Sequence, residues 1–116
     1  MDRQKMRIRT KEFAKEIILL CRQLPSTREG RLSGVQLFRS GTSVGANYRA
    51  ACRARSKADF ISKLGIVLEE ADEILYWLEI LIETKFLEAP LLNEIMAEAN
   101  ELIAIFVASF NTAKRS

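Results

Sequence analysis

The segment Arg39-Ser40-Gly41-Thr42-Ser43-Val44-Gly45-Ala46-Asn47-Tyr48-Arg49-Ala50-Ala51-Cys52-Arg53-Ala54-Arg55-Ser56 gathers glycine, hydroxyl and guanidinium groups in a way that invites phosphate chemistry. A nucleotide-binding loop would set its glycines between a strand and a helix and close on Gly-Lys-Ser/Thr. No strand pattern precedes Gly41 and no lysine follows Gly45, so that reading fails. A disordered basic arm fails too, because apolar residues continue at helical spacing straight through the glycines. A helix remains. Gly41 and Gly45 lie four residues apart on its core-facing stripe, each weakening it by roughly 1 kcal/mol relative to alanine. Their missing side chains permit a close backbone neighbour. Ser40, Ser43 and Asn47 fall on a different side, where they either bond across a subunit contact or are solvated.

Other chemistry finds little support. The 116 residues include no histidine, which removes both the commonest general base and the commonest transition-metal ligand. Cys21 and Cys52 lack an activating base and fall on apolar faces, as expected of reduced, buried thiols in a cytoplasmic protein. The run Glu69-Glu70-Ala71-Asp72-Glu73 invites a carboxylate metal site. Di-iron bundles, however, use inward Glu-x-x-His motifs, and the interior spacing here falls on leucine, valine and alanine. The expectation is a protein that is not an enzyme, with no metal, no cofactor and no small-molecule substrate.

Charge is distributed unevenly. Residues 1–57 carry 14 Lys/Arg against 4 Asp/Glu, a balance of +10, while residues 58–116 carry 4 against 11, a balance of −7. Such polarity suggests an anionic partner for the first half, or pairing between the halves. No apolar run approaches the roughly 20 residues of a bilayer span, and the charged N-terminal segment has no signal-peptide character, so no membrane partner is expected.

The elements that must position these groups read as four helices, at about 3–24, 32–54, 57–84 and 90–113. In the first, Met6, Thr10, Phe13, Ile17, Leu20 and Leu24 alternate steps of four and three until Pro25. The second places Phe38, Gly41, Gly45, Tyr48 and Cys52 on its inner stripe, flanked by Leu37, Val44 and Ala51. The third opens on a Ser56-x-x-Asp59 cap and holds Phe60, Leu64, Val67, Ala71, Ile74, Leu78 and Leu81 in heptad spacing. The fourth starts near Pro90 and presents Leu92, Ile95, Ala99, Leu102 and Phe106. Short connections and three-four spacing predict an all-α, up-down antiparallel four-helix bundle in one domain. Additional apolar residues, including Ile61, Leu68, Leu75, Tyr76, Ile103 and Val107, predict a homo-oligomer.

The cations fall into two stripes. Arg3, Arg7, Lys11 and Lys15 step by four along the first helix, and Arg22 rejoins their side. Arg39, Arg49 and Arg53 lie within about 80° on the second, at 100° per residue. Together they could bind a phosphate backbone, reading shape more than sequence because aromatic partners for bases are scarce. Alternatively they face the acidic residues of an adjacent subunit, such as Glu73 or Glu98, and steer assembly. Solvation alone is the third reading.

The stretch Leu37 to Arg49, then Arg53-Ala54-Arg55-Ser56-Lys57-Ala58-Asp59-Phe60, Leu68-Glu69-Glu70-Ala71 and Leu75-Tyr76-Trp77-Leu78, resembles a known four-helix-bundle family. Its founding members are encoded in intervening sequences of bacterial 23S ribosomal RNA genes and are often labelled S23 ribosomal proteins. The resemblance covers about residues 8–110. It implies a small cytoplasmic bacterial bundle that assembles into a homo-oligomeric ring, usually a pentamer, with no established catalytic residues. It extends to the basic accessory proteins of diversity-generating retroelements, which implies structured RNA or a nucleoprotein as partner; this chain differs from them in its acidic second half. The alternative is a protein-interaction scaffold that binds no nucleic acid.

Overall fold

The computed structural model describes residues 2–116. Four helices make up the fold: α1 (Arg3–Cys21), α2 (Arg28–Cys52), α3 (Lys57–Glu83) and α4 (Ala89–Arg115). No strand occurs among the described residues. Each helix start has a local cause. The Asp2 carboxylate accepts from the Gln4 and Lys5 amides, Thr27 Oγ1 from Gly30, and Ser56 Oγ from Asp59. These bonds satisfy donors that a helix leaves unpaired in its first turn. Helix α4 has no side-chain cap and instead carries Pro90 in its first turn, where the missing N–H would have had no partner.

Two boundaries differ from the sequence reading by three residues or more. Helix α1 stops at Cys21, three residues early, because the Gln23 and Leu24 amides bond to Leu20 and Cys21 in a tightened last turn. Helix α2 starts at Arg28, four residues early, because Thr27 caps it. The hinge between them is tight at Gly30, where a Cβ would land on the Pro25 carbonyl. Just past the end of α3 stands Lys85, a lysine in the left-handed region at φ 59°. The Phe86 amide bonds to Leu81 O at 2.9 Å and the Lys85 amide to Ile82 O at 3.0 Å, closing the turn that glycine usually closes.

Contact positions run in opposite directions on neighbouring helices. Gly34 faces Leu24, Gly41 faces Ile17 and Gly45 faces Thr10, so α1 and α2 are antiparallel. Helix α2 also packs on α3, and α3 on α4, while α1 and α4 close the bundle with the least contact. The molecule is a rod of 46 × 20 × 20 Å, as 27-residue helices side by side require.

The core follows the stripes of α1 and α3 as read from the sequence. Met6, Thr10, Phe13, Ile17 and Leu20 are buried, as are Leu64, Val67, Ala71, Ile74, Leu78 and Leu81. Helix α2 is rotated from the expected register. Leu37, Ser40, Gly41, Val44, Tyr48 and Ala51 point inward, whereas Phe38 is 50% exposed and Cys52 half-buried. Tyr48 packs on Phe106 with ring centroids 5.5 Å apart. The extra apolar line on α3 is partly absorbed by the same bundle, since Leu68, Leu75 and Ile82 pack against the core. Exposed apolar side chains remain on every helix, at Ile8, Leu19, Leu32, Val35 and Phe38 of α1 and α2 and at Ile66, Tyr76, Leu91 and Val107 of α3 and α4.

Candidate nucleic-acid interface

Glycine sets the depth of the seam between α1 and α2. A Cβ on Gly41 would lie 2.6 Å from Ile17 Cγ2, and one on Gly45 would lie 3.3 Å from Thr10 Oγ1. The Ile17 side chain therefore sits closer to the α2 backbone than alanine would permit at Gly41. Thr10 turns its hydroxyl back onto Met6 O at 2.9 Å, so it enters the seam without an unpaired polar atom.

Outside that seam lies a groove of about 430 Å³. Its floor is small, with Ala14, Gly45 and Ala46, and its walls carry Arg7 and Lys11 from α1 and Arg49 and Arg53 from α2. All four cations are exposed, and among the described residues none is in an ion pair. No carboxylate lines the groove. Sharing Thr42 with it, a second, mostly apolar hollow continues along the helices past Val35 and Phe38 to Leu24 and Pro25.

The remaining cations of the two sequence stripes have other situations. Arg3 stands at the end of the bundle with its guanidinium 4.9 Å from the Phe60 ring centroid. Lys15 pairs with Glu12 at 2.9 Å on its own helix. Arg22 follows α1 as its exposed C-terminal cap, beyond the groove. Arg39 leaves the basic edge altogether. Its Nη1 donates to Glu70 at 3.2 Å and its Nη2 to Glu73 at 2.6 Å, so its charge is met inside the chain. That arginine holds the Glu73 carboxyl below the usual carboxylate range.

Of the polar residues beside the glycines, Ser40 is the one the fold encloses. Ser40 is fully buried inside the bundle, where its Oγ accepts from Arg39 Nη2 at 3.2 Å, so it cannot reach a second subunit. Ser43 donates to Arg39 O and Asn47 to Ser43 O, both bonds within α2.

Sequence reasoning passed over Arg9, which lies off the four-step stripe. Its Nε and Nη2 each donate to Glu98 at 2.7 Å, a two-pronged pair, and Nη2 also reaches Glu101 at 3.1 Å. The pair spans 89 residues of chain, and no local periodicity signals it. Beside it, burial and then the nearby Glu98, Glu94 and Glu12 charges raise the Glu16 carboxyl. Burial raises the Cys21 thiol, which donates weakly to Gly34 O at 3.6 Å, and burial followed by the adjacent Cys52 raises the Tyr48 phenol. Among the described residues, no three His, Cys, Asp or Glu side chains gather so as to hold a metal ion, and no helix is long and apolar enough to cross a membrane.

An antiparallel four-helix rod, basic along one groove and acidic on the opposite helices, defines the class of this protein. Within that class the assignment is specific: residues 3–108 match the family model described as 23S rRNA-intervening sequence protein, and the chain belongs to that family. A similar solved structure is that of a protein with unknown function from the S23 ribosomal protein family of Bacteroides thetaiotaomicron VPI-5482. The two share 36% identity over 96% of this chain and 99% of the other, with a TM-score of 0.88. No curated protein matches the chain.

Proposed function

We propose that the protein is a non-enzymatic RNA-binding adaptor that holds a phosphate backbone in the groove between α1 and α2. One observation carries the reading: Arg7, Lys11, Arg49 and Arg53 face a single groove from both walls with no carboxylate among its lining residues. Elsewhere on the same helices Arg9, Lys15 and Arg39 are in ion pairs, while among the described residues Arg3, Lys5, Arg28 and Arg31 are in none. An anionic polymer would release counterions from four sites at once and gain a salt-dependent affinity. The small floor favours recognition of backbone shape over base identity.

Anisotropy titrations of a structured RNA at several salt concentrations test this directly. Arg49→Glu with Arg53→Glu is expected to lower affinity at least about tenfold and to flatten the log–log salt slope by roughly 1–2 units. Arg39→Ala, which removes a paired guanidinium, is expected to change affinity less than about twofold. Affinity that ignores salt, or that survives the double charge reversal in a protein with unchanged circular dichroism, overturns the proposal.

A second reading is supported by a different observation. Val35 and Phe38 are 62% and 50% exposed on the apolar continuation of the groove. A homo-oligomer, a pentameric ring in the family resemblance, would cover such side chains. Because Arg9 and Arg39 already satisfy carboxylates within the chain, assembly would rest on apolar burial more than on charge. Light scattering of Val35→Lys and Phe38→Lys distinguishes the two: dissociation with no RNA affinity in the parent protein favours the scaffold.

A further inference from the structure

A further concavity lies at the end of the rod, and nothing in the sequence pattern announces it. It is a pocket of about 590 Å³ where the start of α1, the α2–α3 turn and the last turns of α4 converge. Small residues open it. Helix α4, after filling the core with Leu102 and Phe106, continues with Ala108, Ser109 and Ala113, while the end of α2 and the turn after it contribute Ala51 and Ala54. Around this space stand Arg3, Arg55, Lys57 and the terminal Ser116, and no Asp or Glu side chain is among the lining residues. The nearby Asp59 is already engaged, with Lys63 at 2.6 Å and the Arg55 amide at 3.2 Å. Arg55 and Lys57 are exposed and, among the described residues, in no ion pair.

Its position relates it to the groove. Arg3 precedes Arg7 by one turn of α1, about 6 Å along the axis, and Arg55 follows Arg53 by two residues. The cationic track therefore runs off the groove and around the end of the bundle into the pocket. A backbone phosphodiester carries one negative charge, whereas a terminal phosphomonoester carries about 1.5–2 at neutral pH and offers three acceptor oxygens. Three cations converging on one space suit the second better. The pocket volume falls within the range of about 300–1,000 Å³ typical of small-ligand sites, and Phe60, with the Arg3 guanidinium over its ring, lines it together with Thr112.

We infer that this pocket binds a nucleoside phosphomonoester, the phosphorylated end of an RNA strand whose backbone lies in the α1–α2 groove. Arg55 and Lys57 hold the phosphate together with Arg3, and the sugar and base occupy the space left by the alanines. This inference rests on the RNA-binding reading, but the two fail separately.

The test compares one short RNA sequence prepared with a 5′-phosphate, a 3′-phosphate or hydroxyls at both ends, by anisotropy competition against the full chain. One phosphorylated form is expected to bind about tenfold more tightly than the hydroxyl form. Arg55→Gln with Lys57→Gln is expected to abolish that preference while weakening the hydroxyl-ended RNA by a smaller factor than the phosphorylated form. Equal affinity for all three ends overturns the inference and leaves the groove reading standing. Titration with adenosine monophosphate, followed by NMR, separates the sources. Shifts at Thr112 and Cys52 without any RNA binding would support the pocket and sink the groove; no shifts and no end preference would sink the pocket.

Discussion

Helix α1 meets its two neighbours by opposite means. Toward α2 the contact is steric: Gly41 and Gly45 let Ile17 and Thr10 close in, and the cations above the seam stay unpaired. Toward α4 the contact is sparse and electrostatic, with Arg9 forked onto Glu98 and touching Glu101. Tight backbone packing makes ion pairs unnecessary for holding α1 to α2, which leaves Arg7, Lys11, Arg49 and Arg53 available to a ligand. On the other flank the guanidinium itself closes the bundle. The same residue type thus serves structure on one side of a helix and is free on the other.

The comparison breaks most readily at Gly41. Gly41→Ala is expected to lower unfolding free energy by about 1–2 kcal/mol in urea titrations: overpacking against fully buried Ile17 outweighs the roughly 1 kcal/mol of helix propensity gained. Gly65→Ala is the control, because its Cβ would meet nothing nearer than Phe110 at 3.9 Å and should stabilise. Equal responses at the two glycines would refute a steric origin for the α1–α2 seam. Arg9→Ala should weaken the opposite flank by about 1 kcal/mol, a figure held down by solvent screening of a pair that is one-quarter to one-third exposed. A double-mutant cycle with Glu98→Ala should recover most of that as coupling, less in high salt.

The smallest effect concerns Glu16 on the α4-facing side. A carboxyl raised in the folded state binds its proton more tightly there, so it penalises folding at neutral pH. That penalty is relieved as pH falls through the folded value. Glu16→Gln should therefore stabilise by up to about 0.5 kcal/mol at neutral pH, the gain disappearing in acid. Glu73 runs the other way: its carboxyl is lowered by Arg39, so its contribution is present at neutral pH and lost as pH falls through the folded value. Thermal melts at several pH values would expose a failure of either sign.

The sequence made the helices, their order and the inner stripes of α1 and α3 legible, because leucine, isoleucine and valine recur there without interruption. Helix α2 was harder. Glycine carries no side chain whose hydropathy could fix a face, and Ser40 is a polar residue in the core, so the Phe38 line and the Leu37 line fitted equally well. The groove was half legible. Stepping by four found Arg7 and Lys11, and angle found Arg49 and Arg53, yet neither rule could tell them from Arg39. What separates them is whether Glu70 and Glu73 stand opposite, a property of α2–α3 packing. Arg9 and the end pocket depend wholly on tertiary placement of α4, far along the chain.

The Arg9–Glu98 clamp also bears on time. It joins the first helix to the last across 89 residues, the kind of contact whose loop-closure entropy must be met before it contributes. Hairpin-like pairs such as α1 with α2 can assemble first, leaving this seam to form late. An interaction absent from the folding transition state acts on the rate of leaving the native state. In stopped-flow measurements Arg9→Ala should accelerate unfolding and scarcely slow refolding, so the clamp governs how long a folded molecule persists.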